Sequence, residues 1–228
     1  MNAFVKLNEK RPMGKVDRKQ KVSSVIFCFI FGLLAGLIAK ILDSTFIPNE
    51  LSVLGLIGSS LGIWIFILTL VAAFSHTPKL ASIRVFVFLI AMLFSYYLYT
   101  FFILNLFPIK FIIFWFVAAI LSIIPAYIMW FSRADNLISS FIIALPISVI
   151  AWEGYKYYLF TVDYYEKFTN MESVLVSDGV YYEILGYSIS YTLMIIILLT
   201  LLPKRKKQGL SILSFSVGIF LVLITILP

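Results

Sequence analysis

Tyrosines and one carboxylate are the residues of this chain whose types and spacing could bind something. Tyr96, Tyr99 and Thr100 fall on one face of a helix by their i, i+3, i+4 spacing. Glu153 ends the fifth apolar run, Tyr157 follows it, and Tyr187 and Tyr191 open the sixth. A phenol ring attracts cations over its face and takes apolar groups against its body, and a carboxylate adds a charge. An ionisable side chain near a membrane boundary is often functional. Together these residues read as an outward-open cup for an organic cation or an amphipathic ligand. The competing reading pairs Glu153 with Lys156 at i, i+3 as a solvated helix end. Tyr96 is the hardest to explain as membrane filler. It stands about 11 residues into its run, ~16 Å deep at ~1.5 Å per residue, where a phenol needs a hydrogen-bond partner.

Other chemistry has no footing in the sequence. There is no His-Glu-x-x-His, no paired-cysteine metal motif, no Walker A loop, no dinucleotide glycine loop and no Gly-x-Ser-x-Gly. The chain therefore reads as a non-enzyme without cofactor or metal, and one that does not itself hydrolyse ATP. A lipid-modifying enzyme would need clustered polar residues at one interface, and none stand out. The apolar runs carry almost no charge, so a proton pump's chain of carboxylates is missing. His76, the only histidine, lies in Ser75-His76-Thr77-Pro78 and reads as a solvated turn residue. Arg133 and Asp135 read as an exposed pair of little energetic weight, and Asp43 and Glu50 as helix-end residues around an outer turn. Cys28 reads as a buried apolar filler; Phe27 before it does not suit a lipid-attachment site.

The elements that must position these residues follow from composition. The chain has 228 residues, of which 62% are hydrophobic and 13% charged, with 22 Phe, 13 Tyr and 4 Trp. A soluble fold of this size could not cover so much apolar surface. An ordinary cytosolic enzyme, a disulfide scaffold and a disordered tail are excluded. A spanning helix needs ~20 mostly apolar residues, and seven runs qualify: Val22 to Leu42, Leu51 to Phe74, Val85 to Phe107, Phe111 to Phe131, Asn136 to at least Trp152, Ile184 to Leu202, and Gly209 to Leu227. The fifth is short unless it continues to Phe160. The runs show no alternation, so helices rather than strands are expected. Pro48, Pro78, Pro108 and Pro203 fall at turns, whereas Pro125 and Pro146 predict kinks within spans. The expected fold is an all-α polytopic membrane protein: residues 1–21 as a basic segment, then one seven-helix domain over 22–228.

Charge sets the expected orientation. Lys and Arg concentrate on the cytoplasmic side. Placing the N-terminus inside puts all but Lys40, Lys110, Lys156 and Lys167 of the 18 basic residues inside, and the C-terminus outside. The outer segment 153–183 then carries Glu153, Asp163, Glu166, Glu172, Asp178 and Glu183. The net +7 is a sidedness signal. It suits anionic lipid headgroups rather than nucleic acid, because the basic residues are split among tails and turns. Of the 13 tyrosines all but Tyr127 fall at or beyond the midplane on the outer side. An aromatic belt should populate both faces, so this asymmetry marks the outer half as the place to look.

Small residues mark packing seams. Gly32, Ala35, Gly36 and Ala39 form a ridge on the first span, and Gly55, Gly58 and Gly62 another on the second. Such ridges let membrane helices approach closely. The plain expectation is that spans one and two pack on each other; the alternative is that one ridge docks a second membrane protein. Ala35-xxx-Ala39 is similar to the small-residue motif by which substrate-capturing subunits of energy-coupling-factor importers dock their membrane partner. That resemblance covers a turn or two of one helix, and seven spans rather than the usual six depart from it. It implies the membrane subunit of a larger transporter. The leading expectation is a multi-pass protein of a bacterial cell membrane that binds or passes a small, partly apolar or cationic solute at its outer face. The alternative is a non-transporting accessory protein (immunity, sensor or assembly factor) acting through helix contacts.

Overall fold

Backbone amides and carbonyls in hydrocarbon need partners within the protein, and a helix supplies them inside one segment. The computed structural model describes residues 17–43, 52–105, 107–169 and 174–227, with side chains at all of these except 52–53, 56, 161, 164–169, 174–184 and 206–207. Every element in the described residues is helical: α1 (Arg18–Leu42), α2 (Ser52–Ser59), α3 (Leu61–Ala73), α4 (Pro78–Phe102), α5 (Ile109–Leu121), α6 (Ile123–Met129), a 3-10 turn (Trp130–Arg133), α7 (Leu137–Thr169), α8 (Val174–Leu201) and α9 (Lys206–Ile226). Five segments are long and apolar enough to cross a membrane: Arg18–Leu42, Pro78–Phe102, Ile109–Arg133, Leu137–Phe160 and Gln208–Ile226. Leu61–Ala73 and Leu185–Leu201 are shorter apolar helices.

Local chemistry sets the helix ends. The Asp17 side chain accepts from Arg18 N (2.6 Å) and starts α1 ahead of its apolar run. Thr77 Oγ1 accepts from Leu80 N (3.2 Å), and Pro78 takes the first position, where its missing N–H costs nothing. The third run's helix therefore begins at Pro78 rather than Val85, and Lys79 and Arg84 lie in the helix, not in the turn. The fourth run breaks at Ser122, one residue past Leu121, whose carbonyl Pro125 leaves without an i+4 donor. Ser82 Oγ on α4 donates to the Ile123 carbonyl just past the break (2.9 Å). The fifth run passes through Pro146 without a break and continues past Trp152 and Phe160 to Thr169. Much of the acidic segment is thus helix, as the upper parts of α7 and α8; the side chains of Tyr164, Tyr165, Glu166, Lys167, Glu172, Asp178, Tyr181, Tyr182 and Glu183 lie outside the described residues, as do Glu50 and the basic residues before Asp17.

The second run departs most from expectation. It is two helices, α2 and α3, separated at Ser60, whose backbone is extended (φ −74°, ψ 150°). Serine offers its hydroxyl to the backbone in non-helical conformations. Here Ser60 Oγ donates to the Ile57 carbonyl (2.7 Å), closing the end of α2.

Helix α1 packs along α4, α7 between α8 and α9, and α3 bridges the two groups by touching α4 and α7. The main core joins them, with Trp130, Phe131, Ile143, Ile147, Ile150, Leu198 and Ile212 fully buried. Trp130 Nε1 donates to the Ser75 carbonyl (2.8 Å), tying the α3–α4 turn to the 3-10 turn. Large apolar side chains such as Phe27, Phe94, Phe114 and Leu221 face outwards, as the lipid-facing surface of a membrane protein must.

The small-residue ridge of α1 faces α4 rather than the second span alone. A methyl group at Gly32 would meet the Phe88 carbonyl, and one at Gly36 the Met92 carbonyl and Ser95 Oγ. Ala39 is the residue that meets the second span, with Gly58 opposite it, and Gly55 abuts the Leu42 carbonyl. Ala35 packs against the small cluster of Cys28, Phe88 and Met92.

Candidate functional site

The close approach of α1 and α4 builds the first polar cluster. It brings Lys40 against Tyr96. Lys40 Nζ donates to Asp43 Oδ2 (2.8 Å) and to Tyr96 OH (3.3 Å), and Tyr96 OH donates to Asp43 Oδ2 (3.2 Å). The ammonium also lies 4.8 Å from the Tyr96 ring centre. With the helix starting at Pro78, Tyr96 stands in the last two turns of α4 rather than deep in the span, and its hydrogen-bond partners come from the C-terminal end of α1. Tyr97 meets Tyr96 edge to face (5.3 Å between centres), the favourable geometry for two aromatic quadrupoles. Thr100 is buried and donates to its own helix, at the Tyr96 carbonyl (2.9 Å). Tyr99 stands outside the cavity described next.

Beside this cluster lies a cavity of about 660 Å³ between α1, the α2–α3 break, α4 and α5. A cavity of this size suits a drug-sized ligand, and mostly apolar walls with a few convergent polar groups are the usual make-up of such sites. Lys40, Tyr96, Tyr97 and Thr100 form its polar end, and Trp64, Leu68, Leu89, Met92, Leu93 and Trp115 much of its apolar wall. Lys40 is the charged residue of the lining. Gly58, Ser59 and Leu61 bring the helix break to the cavity wall.

The second cluster stands at the break itself. The first amides of a helix have no partner inside it and carry the positive end of its dipole. Ser60 does not cap α3 with its side chain. Glu153 of α7 does so instead: its Oε1 accepts from Leu61 N (2.8 Å). A carboxylate so placed contributes up to ~2 kcal/mol in a partly buried setting. Its other oxygen, Oε2, is buried and makes no hydrogen bond, and the same holds for the Tyr191 hydroxyl, which lies beside both Glu153 and Ser60 without bonding geometry. A methyl group at position 62 would sit 2.6 Å from Glu153 Oε2 and 2.7 Å from Tyr191 Cε1, so it would displace the carboxylate or the ring. Tyr157 stacks on Tyr187 (4.6 Å, 9° between planes), and Tyr191 leans on both at 6.2 Å. Tyr187 and Tyr191 are 5% and 3% exposed and belong to the main core.

The single cup expected from the sequence is therefore two sites sharing one broken helix. Tyr96 and Thr100 line the cavity; Glu153, Tyr157, Tyr187 and Tyr191 gather at the break; Tyr99 joins neither. Glu153 turns to the Leu61 amide, while Lys156 lies over the Trp152 ring (5.1 Å). Sequence reasoning passed over Lys40, Tyr97, Trp64, Trp115 and Ser60. A lysine three residues before an aspartate at the end of an apolar run, and adjacent serines inside another, were the signals available.

Elsewhere one expectation is corrected and one is filled in. Arg133 stacks on Phe74 (4.5 Å) and Asp135 pairs with Arg205 (2.8 Å) rather than with Arg133. Cys28 is 1% exposed but has a polar neighbour: Arg84 Nε donates to its sulfur (3.3 Å), and Arg84 Nη1 to Ser75 Oγ (3.0 Å). His76 is exposed in its turn. No group of three or more metal-ligating side chains occurs among the described residues. No protein-family model, curated protein or solved structure matches this chain, so its geometry carries the functional argument.

Proposed function

We propose that this protein is a seven-span membrane protein, N-terminus inside and C-terminus outside, that binds or passes a small amphipathic solute entering from the outer face. The cavity of about 660 Å³ carries this reading. Its walls are mostly apolar, and its polar end is the Lys40, Tyr96 and Tyr97 group, which lies on the outer side in this orientation. Because Glu153 is bound at the helix break and does not line the cavity, the partly apolar solute is favoured over a simple organic cation. Two observations support seven crossings. Helices α2 and α3 have 8 and 13 residues on either side of Ser60, together ~30 Å at ~1.5 Å per residue, and Leu185–Leu201 sits within a helix of 28 residues. We place the chain in a cell membrane, as a bacterial protein by its small size and lysine-rich basic character. A role as the membrane subunit of a larger transporter fits the same site. An accessory role through an open small-residue ridge draws no support from the packing, since α4 and Gly58 occupy that ridge.

The test is a thermal-shift screen of purified protein against amphipathic amines, carboxylates and uncharged aromatic solutes. At least one class is expected to stabilise the wild type. Ala118→Leu, which fills the cavity from α5, is expected to abolish that response while leaving the unliganded melting temperature nearly unchanged. A ligand response equal in both proteins would move the site elsewhere.

A further inference from the structure

The break at Ser60 presents a combination that neither the cavity nor helix packing explains. An ionisable side chain has been brought from α7 to the positive end of α3, inside the membrane-spanning part of the chain. Only one of its two oxygens is bonded. The other is buried and makes no hydrogen bond of normal geometry; the donor beside it is the O–H of Tyr191, a residue 3% exposed whose hydroxyl is likewise unbonded. An ionised carboxylate in apolar surroundings needs donors on both oxygens, whereas a carboxylic acid needs one acceptor for its proton. The Tyr191 hydroxyl is the neighbour that can accept it. The site is built to exist in two protonation states: ionised, capping α3 through Leu61 N, or neutral, with the proton on Oε2.

We propose that Glu153 is a proton-binding site whose occupancy sets the geometry of the Ser60 break and, through Gly58, Ser59 and Leu61, the wall of the cavity. Losing the proton restores the charge that holds the α3 N-terminus; gaining it weakens that cap and frees the break to rearrange. The groups that face Glu153 are few. From the start of α3 come the Leu61 and Gly62 amides, and from α8 Tyr191, with Tyr187 behind it. On α7 itself Tyr157 is near, and Lys156 lies over Trp152. From α9 the Leu227 carbonyl reaches α7 at Trp152 Nε1 (3.3 Å). Lys40 and Asp43 pair with each other on α1. Coupling of solute to proton rests on the function proposed above, but the proton site does not require it.

The experiment uses no solute. Ser59 is exposed on the cavity wall, and the one native thiol, Cys28, is buried. Ser59→Cys is introduced alone and together with Glu153→Gln, and alkylation rates are measured from alkaline to acidic pH. Dividing one rate by the other removes the thiol's own ionisation. The double variant lacks the titrating group, so the ratio of single to double is expected to lie low at alkaline pH and to rise toward one on acidification. The expected change is at least about fivefold, the low end of typical site-to-site coupling. A ratio that is constant with pH overturns the proposal. If Glu153→Gln does not fold, infrared titration of the full chain replaces it. A weakly hydrogen-bonded carboxylic C=O band should then grow in over the pH range in which Ser59→Cys labelling accelerates. No such band, or a band titrating outside that range, overturns the proposal. A responsive ratio alongside a failed solute screen leaves the proton site standing and removes only the solute reading; a flat ratio alongside a successful screen does the reverse.

Discussion

At the scale of the residue, what a glycine does here depends on what stands opposite it. Gly36 faces the Met92 carbonyl and Ser95 Oγ, so an added methyl group drives backbone from backbone. Gly218 has nothing within 4 Å. Gly36→Ala is expected to destabilise the protein by about 1–3 kcal/mol through overpacking. Gly218→Ala is expected to be neutral or stabilising by up to about 1 kcal/mol through helix propensity. Detergent unfolding curves of the two variants check the contrast, and equal effects would remove the close α1–α4 approach as the cause. Lys40 and Glu153 show the same dependence on context. Each is a charge at the edge of an apolar run, yet one is balanced by an aspartate and a phenol, and the other by the end of a helix.

At the scale of the element, hydrogen bonds between the turns decide how the helices meet. Trp130 is fully buried, and its indole N–H satisfies the Ser75 carbonyl, while Arg84 holds the Ser75 hydroxyl. Trp130→Phe keeps most of the apolar volume but leaves that carbonyl without its donor. A loss of about 1–3 kcal/mol is expected, the cost of an unsatisfied buried polar group, again read from unfolding curves. Gln208 does similar work between α9 and α7, donating to Ser139 Oγ (2.7 Å) and the Ala134 carbonyl (3.2 Å). Against these tight joints the α2–α3 break stands out, since its cap comes from a side chain four helices further along the chain.

At the scale of the whole molecule, orientation is the property on which the functional reading depends. Lys110, beside Pro108 at the start of α5, and Lys79, at the start of α4, should lie on opposite faces. With the N-terminus inside, Lys110→Cys in intact cells is expected to react with a membrane-impermeant maleimide, and Lys79→Cys only after permeabilisation. The reverse pattern would place the polar end of the cavity inside and invert the proposed direction of entry.

Sequence by itself determined the helices and their rough extents, because ~20 apolar residues can satisfy their backbone in lipid in one way only. It also singled out Tyr96 and Glu153, since a phenol within an apolar run and a lone carboxylate need partners. Only the tertiary structure decided which partners those are. Tyr96 found Lys40 and Asp43 from a helix more than fifty residues earlier, and Glu153 found an amide made available by a break within an apolar run. Hydropathy is blind to that break, because Ser59 and Ser60 barely lower the apolar average of the run that holds them. What ends α2 there is a local choice of backbone at Ser60, and what makes that choice tolerable in a membrane is a carboxylate delivered from α7 by packing.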